Sequence, residues 1–219
     1  MKIAKRDGLI WALLLIPFVI IFIFWSRFPE EIPVHFNFEG KPDNYSDKVT
    51  GLFLLPVISI IVYISFLIFP GIDPVKKNYL LFQSTYLKVR LLIHAFLTLI
   101  FILIAMYSLG YPVNMSVILY YCVPVLFLLL GNYMTTVRQN YFFGIRTPWT
   151  LASEEVWLKT HRFAGPLWVV TSLLMLVLNF FITGKDIIVF FLCYVAILAI
   201  LPIGYSYLLF RKAEKNTII

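Results

Sequence analysis

Charge is scarce in this chain: Asp, Glu, Lys and Arg make up 13% of its 219 residues, against 61% hydrophobic. That scarcity excludes a large water-soluble core, because the apolar residues fall in runs long enough to cross a bilayer. Cysteine is nearly missing. Cys122 and Cys193 both lie inside apolar runs, without the spacing of a disulfide framework or metal site, and read as buried, inert thiols. Acids and bases are almost absent from the interior of those runs. His94 is the one candidate, about a turn from the end of its run, and a pump or ion pathway draws on paired intramembrane charges. No internal repeat is visible, which argues against an inverted-repeat transporter. No Ser or Cys nucleophile is arranged with a base, and neither a metal triad nor a phosphate loop is present. No residue is therefore assigned a catalytic, cofactor-binding or metal-binding role.

What the chain does contain is six apolar runs, Leu9–Phe24, Leu52–Phe69, Leu91–Leu109, Val113–Leu130, Leu167–Ile182 and Ile187–Phe210. Each reads as a transmembrane helix. The first has a basic lead but no small-residue cleavage site, so it reads as an uncleaved span. Lys and Arg set the expected orientation: fourteen fall at the two ends, in the second connection and in the fourth, against four on the opposite side (Arg27, Lys41, Lys48, Lys185). The basic side marks the cytoplasm, which places both termini inside. The net charge of +7 follows from this asymmetry, and no soluble basic module suggests nucleic-acid binding. Pro17, Pro56, Pro124 and Pro202 fall within spans, where lipid tolerates them if neighbouring helices cover the freed carbonyls.

The expected fold is an all-α integral membrane protein, a six-transmembrane-helix bundle with one short interfacial cytoplasmic helix. Residues 1–70 form a two-helix unit with an outer loop over 27–51. Residues 71–219 form a four-helix unit with a cytoplasmic loop over 131–165.

The outer loop carries five acidic and three basic residues. Val34, Phe36 and Phe38 alternate with His35, Asn37 and Glu39, which predicts an extended segment with its aromatic face on the membrane interface. Gly40-Lys-Pro-Asp43-Asn44 then supplies turn residues. His35 and Glu39 share a face, but two ligands do not define a metal site.

The inner loop is denser. Gly144 permits a turn closed to other residues, and Thr147 before Pro148 is pushed towards extended geometry. Trp149 suits the headgroup level. Ser153 is a candidate N-cap, with Glu154 and Glu155 in the first turn and Glu155 spaced to pair with Lys159. Gly165-Pro166 is expected to close this helix, and Val156, Trp157, Thr160, Phe163 and Ala164 make a face that would lie along the membrane. Three readings fit: a helix that aims the fifth span, a docking surface using Arg138, Arg146 and Arg162 with Trp149 and Trp157, or a catalytic loop using His161 with Glu154 or Glu155.

Two motifs carry a resemblance. Pro29-x-x-Ile32-Pro33-x-His35, then Gly40-x-x-Asp43 and Ser46-x-Lys48, resembles the small domain at the start of many bacterial membrane proteins of the SdpI type. Gly131-Asn132-Tyr133, then Asn140-Tyr-Phe-x-Gly144-Ile-Arg146-Thr147-Pro148-Trp149-Thr, then Glu154-Glu155-Val-Trp157-x-x-Thr160-His161-Arg162, resembles the second signature of that family. The resemblance covers nearly the whole chain. It implies a multi-pass inner-membrane immunity or signal-transduction protein without enzymatic activity or cofactor. Such a protein guards the cell against a secreted, membrane-depolarising toxin (the sporulation-delaying toxin in the family's case). It also holds a small cytosolic autorepressor at the membrane when toxin is present. The outer motif would then meet the peptide and the inner one the repressor. A small transporter or channel is the alternative.

Overall fold

The computed structural model describes residues 7–182 and 186–217; Lys2, Lys5, Arg6 and residues 183–185, with Lys185, lie outside the described residues. Among the described residues, six helices are long and apolar enough to cross a membrane. They are α1 (Gly8–Phe24), α2 (Lys48–Ile72), α3 (Gln83–Ser108), α4 (Met115–Met134), α6 (Glu154–Phe181) and α7 (Asp186–Thr217), with a five-residue helix α5 (Pro148–Ala152) before α6. Helices are what the hydrocarbon demands, since every backbone N–H and C=O there must be satisfied within the segment. The protein is an all-α membrane bundle, as its hydropathy predicts.

Several helices outrun their apolar cores. α3 begins at Gln83, eight residues before the run that starts at Leu91, so His94 sits about three turns inside the helix rather than one turn from its end. The larger correction concerns α6. The helix that Ser153 caps does not stop at Gly165-Pro166 but continues unbroken to Phe181. No separate interfacial helix forms there. Pro166 lacks only its own N–H, a loss a membrane helix tolerates when its surroundings cover the freed carbonyl. Gly165 works as a contact, not a stop: a Cβ on it would meet the Gly131 carbonyl oxygen at 2.9 Å. Small residues of this kind let two helix backbones approach closely. The face of Val156, Trp157, Thr160 and Ala164 is buried by protein instead of resting on lipid headgroups.

Between α1 and α2 lies an antiparallel hairpin, β1 (Glu31–Phe36) and β2 (Pro42–Asp47). Register shifts between Pro33 and His35 and between His35 and Phe36 interrupt the expected two-residue alternation. Ile32 and Pro33 are buried in succession, while Val34 and Phe38 are exposed. Gly40 turns the hairpin at φ +79, and a Cβ there would meet Asn114 Oδ1 at 2.6 Å. Asp47 then caps α2 by accepting the Thr50 N–H at 3.0 Å. That bond holds its carboxyl below the usual carboxylate range.

The chain forms two compact units that are discontinuous in sequence. Unit 1 takes Met1–Ile68 and Arg90–Cys122; unit 2 takes Phe69–Val89 and Val123–Ile219. α2, α3 and α4 thus each contribute to both, so the spatial division does not follow chain order past residue 68. Unit 1 is cored by Ile21, Phe28, Ile32, Leu52, Phe101 and Ala105, and unit 2 by Met175, Tyr194 and Leu198 with half-buried neighbours including Phe127 and Trp168.

Candidate functional site

The signature loop of unit 2 is built by side chains that accept or donate to its own backbone. Asn140 is fully buried. Its Oδ1 accepts the N–H groups of Phe142 (3.0 Å) and Phe143 (2.7 Å), and its Nδ2 donates to the carbonyls of Arg138 and Phe143, both at 2.9 Å. A single amide thereby satisfies four backbone groups that no helix or strand provides for. Gln139 Nε2 reaches the carbonyls of Thr150 and Leu151, each at 2.9 Å.

Asp73 is the other organiser, and nothing in its sequence context beyond a turn before Pro74 announces it. The residue is 2% exposed. It accepts the Val75 N–H (2.8 Å), the Tyr141 N–H (2.8 Å) and the Tyr79 hydroxyl (3.0 Å). Burial, then the Asp73 charge, pushes the Tyr79 phenol well above its ordinary range, so it stays a proton donor. Phe69 and Phe142 stack beside this node, centroids 4.3 Å apart.

Further along, Gly144 has φ +107, and a Cβ there would meet His161 Nε2 at 2.6 Å. That nitrogen accepts the Ile145 N–H at 3.0 Å. It therefore carries no proton, and Nδ1–H donates to the Trp157 carbonyl at 2.8 Å. His161 is a neutral, fully buried imidazole stacked on Trp157 at 4.1 Å, with both nitrogens engaged by backbone. Trp157 Nε1–H in turn donates to the Val137 carbonyl at 2.9 Å. Thr147, extended at φ −105 and ψ 161, forms a reciprocal capping box with Thr150 and meets Ser206 Oγ at 3.1 Å. Ser153 caps α6 through the Val156 N–H at 3.3 Å, and Glu155 pairs with Lys159.

The structure thus sorts the signature. Asn140, Thr147, Trp157, Thr160 and His161 face inward. Asn132, Arg146, Pro148, Glu154, Glu155 and Arg162 are exposed, and Gly144, Arg138 and Trp149 are half-buried, Trp149 against Tyr207. Glu154 and Glu155 point to solvent, and His161, with both ring nitrogens bonded to backbone, has none left for proton transfer.

The hairpin of unit 1 is arranged the other way round. His35 meets Asp43 across the strands, Lys41 meets Glu39, and Lys48 meets Glu30, all with at least one exposed partner. Pro29 is exposed, while Ile32, Pro33 and Gly40 anchor the hairpin inward. Its turn is held by Ser116 Oγ, which donates to the Asn37 carbonyl at 3.1 Å, and by the Tyr120 hydroxyl, which donates to the Phe38 carbonyl at 3.3 Å.

Unit 1 also holds a polar group that hydropathy hides. Arg90 and Asp7 form a bidentate ion pair (2.6 and 3.2 Å) with both side chains fully buried. The Tyr63 hydroxyl donates to Asp7 at 3.1 Å and accepts from Trp11 Nε1 at 2.7 Å, and His94 packs edge-on against the Tyr63 ring. Arg90 stands at the margin of an apolar run, where it reads as one of the basic residues that mark topology. Only the pairing, across 83 positions, shows otherwise.

Comparison with known proteins agrees with this layout. The family model described as the SdpI/YfhL protein family matches residues 136–206, and a domain of unknown function, DUF1648, matches residues 12–60. The first span covers most of the signature loop with α5, α6 and much of α7; the second covers the hairpin. The chain is 32% identical over 208 residues to the immunity protein SdpI of Bacillus subtilis (strain 168), covering 95% of this chain and 97% of that one. No solved structure matches. With six apolar helices, an inward-folded signature loop and likeness along nearly the full length of both chains, the protein belongs to the SdpI/YfhL family and is a multi-pass bacterial membrane protein.

Proposed function

We propose that this chain is a non-enzymatic immunity protein that protects its host membrane from a secreted, depolarising peptide. The observation that carries the reading is the 32% identity to an immunity protein over almost the whole of both chains. In this reading both termini are cytoplasmic, as the distribution of Lys and Arg supports. The hairpin then faces outward with a net charge of −2 over residues 27–51, where an arriving peptide first meets the protein. The signature loop faces the cytosol and presents Arg146 and Trp149 to a regulator such as a small repressor. A peptide couples the two faces only if it binds two conformations unequally. α2, α3 and α4, each running through both units, are the continuous elements available for this.

The test is expression in toxin-sensitive cells with survival and membrane potential as readouts. Protection is expected; unprotected cells against every related toxin would defeat the immunity reading. For the relay, membrane recruitment of a co-encoded repressor is expected to fall with Arg146→Ala and Trp149→Ala, and unchanged recruitment would leave the loop a structural element.

The buried Asp7–Arg90 pair favours a second reading, a small transporter or channel, because intramembrane ionisable residues commonly mark ion or substrate pathways. Flux through the protein in proteoliposomes would decide for it.

A further inference from the structure

Pro17 and Pro202 each interrupt the hydrogen bonding of a membrane helix, and each interruption is repaired from a neighbouring helix. Proline has no N–H, so the carbonyl four residues before it loses its helical donor: Leu13 for Pro17 in α1, Leu198 for Pro202 in α7. A bare carbonyl is costly in hydrocarbon. In unit 1 the Thr98 hydroxyl on α3 donates to the Leu13 carbonyl at 3.0 Å. In unit 2 Trp168 Nε1–H on α6 donates to the Leu198 carbonyl at 3.0 Å. Each donor thus meets the carbonyl that the proline opens. A second polar contact joins each helix pair: Asp7 with Arg90 between α1 and α3, and the Ser172 and Tyr194 hydroxyls, 2.8 Å apart, between α6 and α7.

The two donors differ in what else they can do. A hydroxyl in a membrane helix has an alternative acceptor in its own backbone, the carbonyl one turn earlier. Ser65, Ser108 and Thr171 take it, donating to Ile61 (2.8 Å), Ile104 (2.9 Å) and Leu167 (2.7 Å). Thr98 instead crosses to the neighbouring helix. Rotation about its χ1 would return it to the His94 carbonyl, keeping a bond for the hydroxyl and baring Leu13. An indole has one N–H and no such alternative. The Trp168 ring is also packed edge-on against Phe127 at 5.1 Å, and a Cβ on Gly131 would meet Trp168 Cβ at 3.0 Å.

We propose that Thr98 is a releasable latch on α1 at Pro17, and that Trp168 is a fixed clasp on α7 at Pro202. With Thr98 crossed to Leu13, α1 is held to α3. With Thr98 bonded to its own helix, α1 is free to hinge at Pro17. Unit 1 thereby has two arrangements and unit 2 one, whether or not a peptide meets the hairpin.

The test pairs equilibrium unfolding of the full chain in mixed micelles with amide exchange in nanodiscs. Thr98→Val should raise the unfolded-to-folded ratio roughly tenfold, the scale of one buried acceptor left without its donor. Thr98→Ser keeps the hydroxyl and should stay within about twofold of wild type. In the Pro17→Ala background the restored backbone N–H serves Leu13, so adding Thr98→Val should change the ratio by less than about twofold. Trp168→Phe should likewise cost more beside Pro202 than in the Pro202→Ala background. In wild type, the amides of Phe18, Val19 and Ile20 should be less protected than those of Ile203, Gly204 and Tyr205, and Thr98→Val should weaken the first set alone. An equal loss from Thr98→Val in both backgrounds, or Thr98→Ser as damaging as Thr98→Val, would overturn the latch. Protection at Phe18–Ile20 equal to or above that at Ile203–Tyr205 would overturn its release. If Pro17→Ala does not fold, the comparison of Thr98→Ser with Thr98→Val decides alone.

Discussion

The hairpin and the signature loop are two long polar connections of this protein, and they use their polar side chains differently. In the hairpin the charged groups pair with one another at the surface, and the strand ladder satisfies the backbone except at the exposed turn, where Asn37 Oδ1 accepts the Glu39 and Lys41 N–H groups. In the signature loop there is no ladder, so side chains take its place: the N–H groups of Tyr141, Phe142, Phe143, Ile145 and Thr147 are accepted by Asp73, Asn140, His161 and Thr150. Motif density is thus a poor guide to exposure. The richer motif is mostly scaffold with an arginine rim, and the sparser one lies open to solvent.

The two units also bury an aspartate each by different means. Each accepts one tyrosine hydroxyl, but unit 1 neutralises Asp7 with a guanidinium, whereas unit 2 satisfies Asp73 with two N–H donors. The largest expected effect follows. Arg90→Ala strands a buried carboxylate and should cost about 3–5 kcal/mol in denaturant unfolding, and the Asp7→Asn/Arg90→Gln pair should recover part of that loss. A cost no greater than that of a surface pair would place water at Asp7.

Asn140→Ala is next. It strips partners from buried backbone groups and should cost on the order of 3 kcal/mol. Gly144→Ala should cost about 1–3 kcal/mol, because φ +107 is strained for alanine and its Cβ meets His161. In the hairpin, His35→Ala should cost at most about 1 kcal/mol, since the pair it breaks is solvated. If the hairpin substitution proved the more damaging, the contrast between the two connections would collapse.

The smallest effect is acid dependence. Asp47 has its carboxyl held low by the Thr50 N–H, so its cap contributes above the ordinary carboxylate range and is lost as pH falls through the lowered value. Asp47→Asn should flatten that acid limb of the hairpin's stability, measured by chemical shifts across pH.

Much of the architecture was legible from residues that act locally. Apolar run length gives the spans, and Ser153, Thr147 and the Glu155–Lys159 spacing act within one turn, where sequence neighbours are spatial neighbours. Gly165-Pro166 misleads because a helix terminator and a close-packed helix contact favour the same small residue; only Gly131 opposite shows which applies. The alternation around His35 fails through register shifts, which depend on the partner strand. Asp73 and the Asp7–Arg90 pair were illegible because their partners lie 68 and 83 positions away. His161 looked like a base until its two backbone partners were seen.

Backbone amide hydrogen exchange on the full chain in nanodiscs tests the central claim most directly. The amides of Tyr141, Phe142, Phe143 and Ile145 should exchange far more slowly than those of Glu39 and Lys41, whose hydrogen bonds to Asn37 Oδ1 (2.9 and 3.1 Å) lie exposed at the hairpin turn, and Asn140→Ala should release Phe142 and Phe143 selectively. Fast exchange across Tyr141–Ile145 in the unmodified protein would show that the signature side chains do not hold the loop, and would contradict the account.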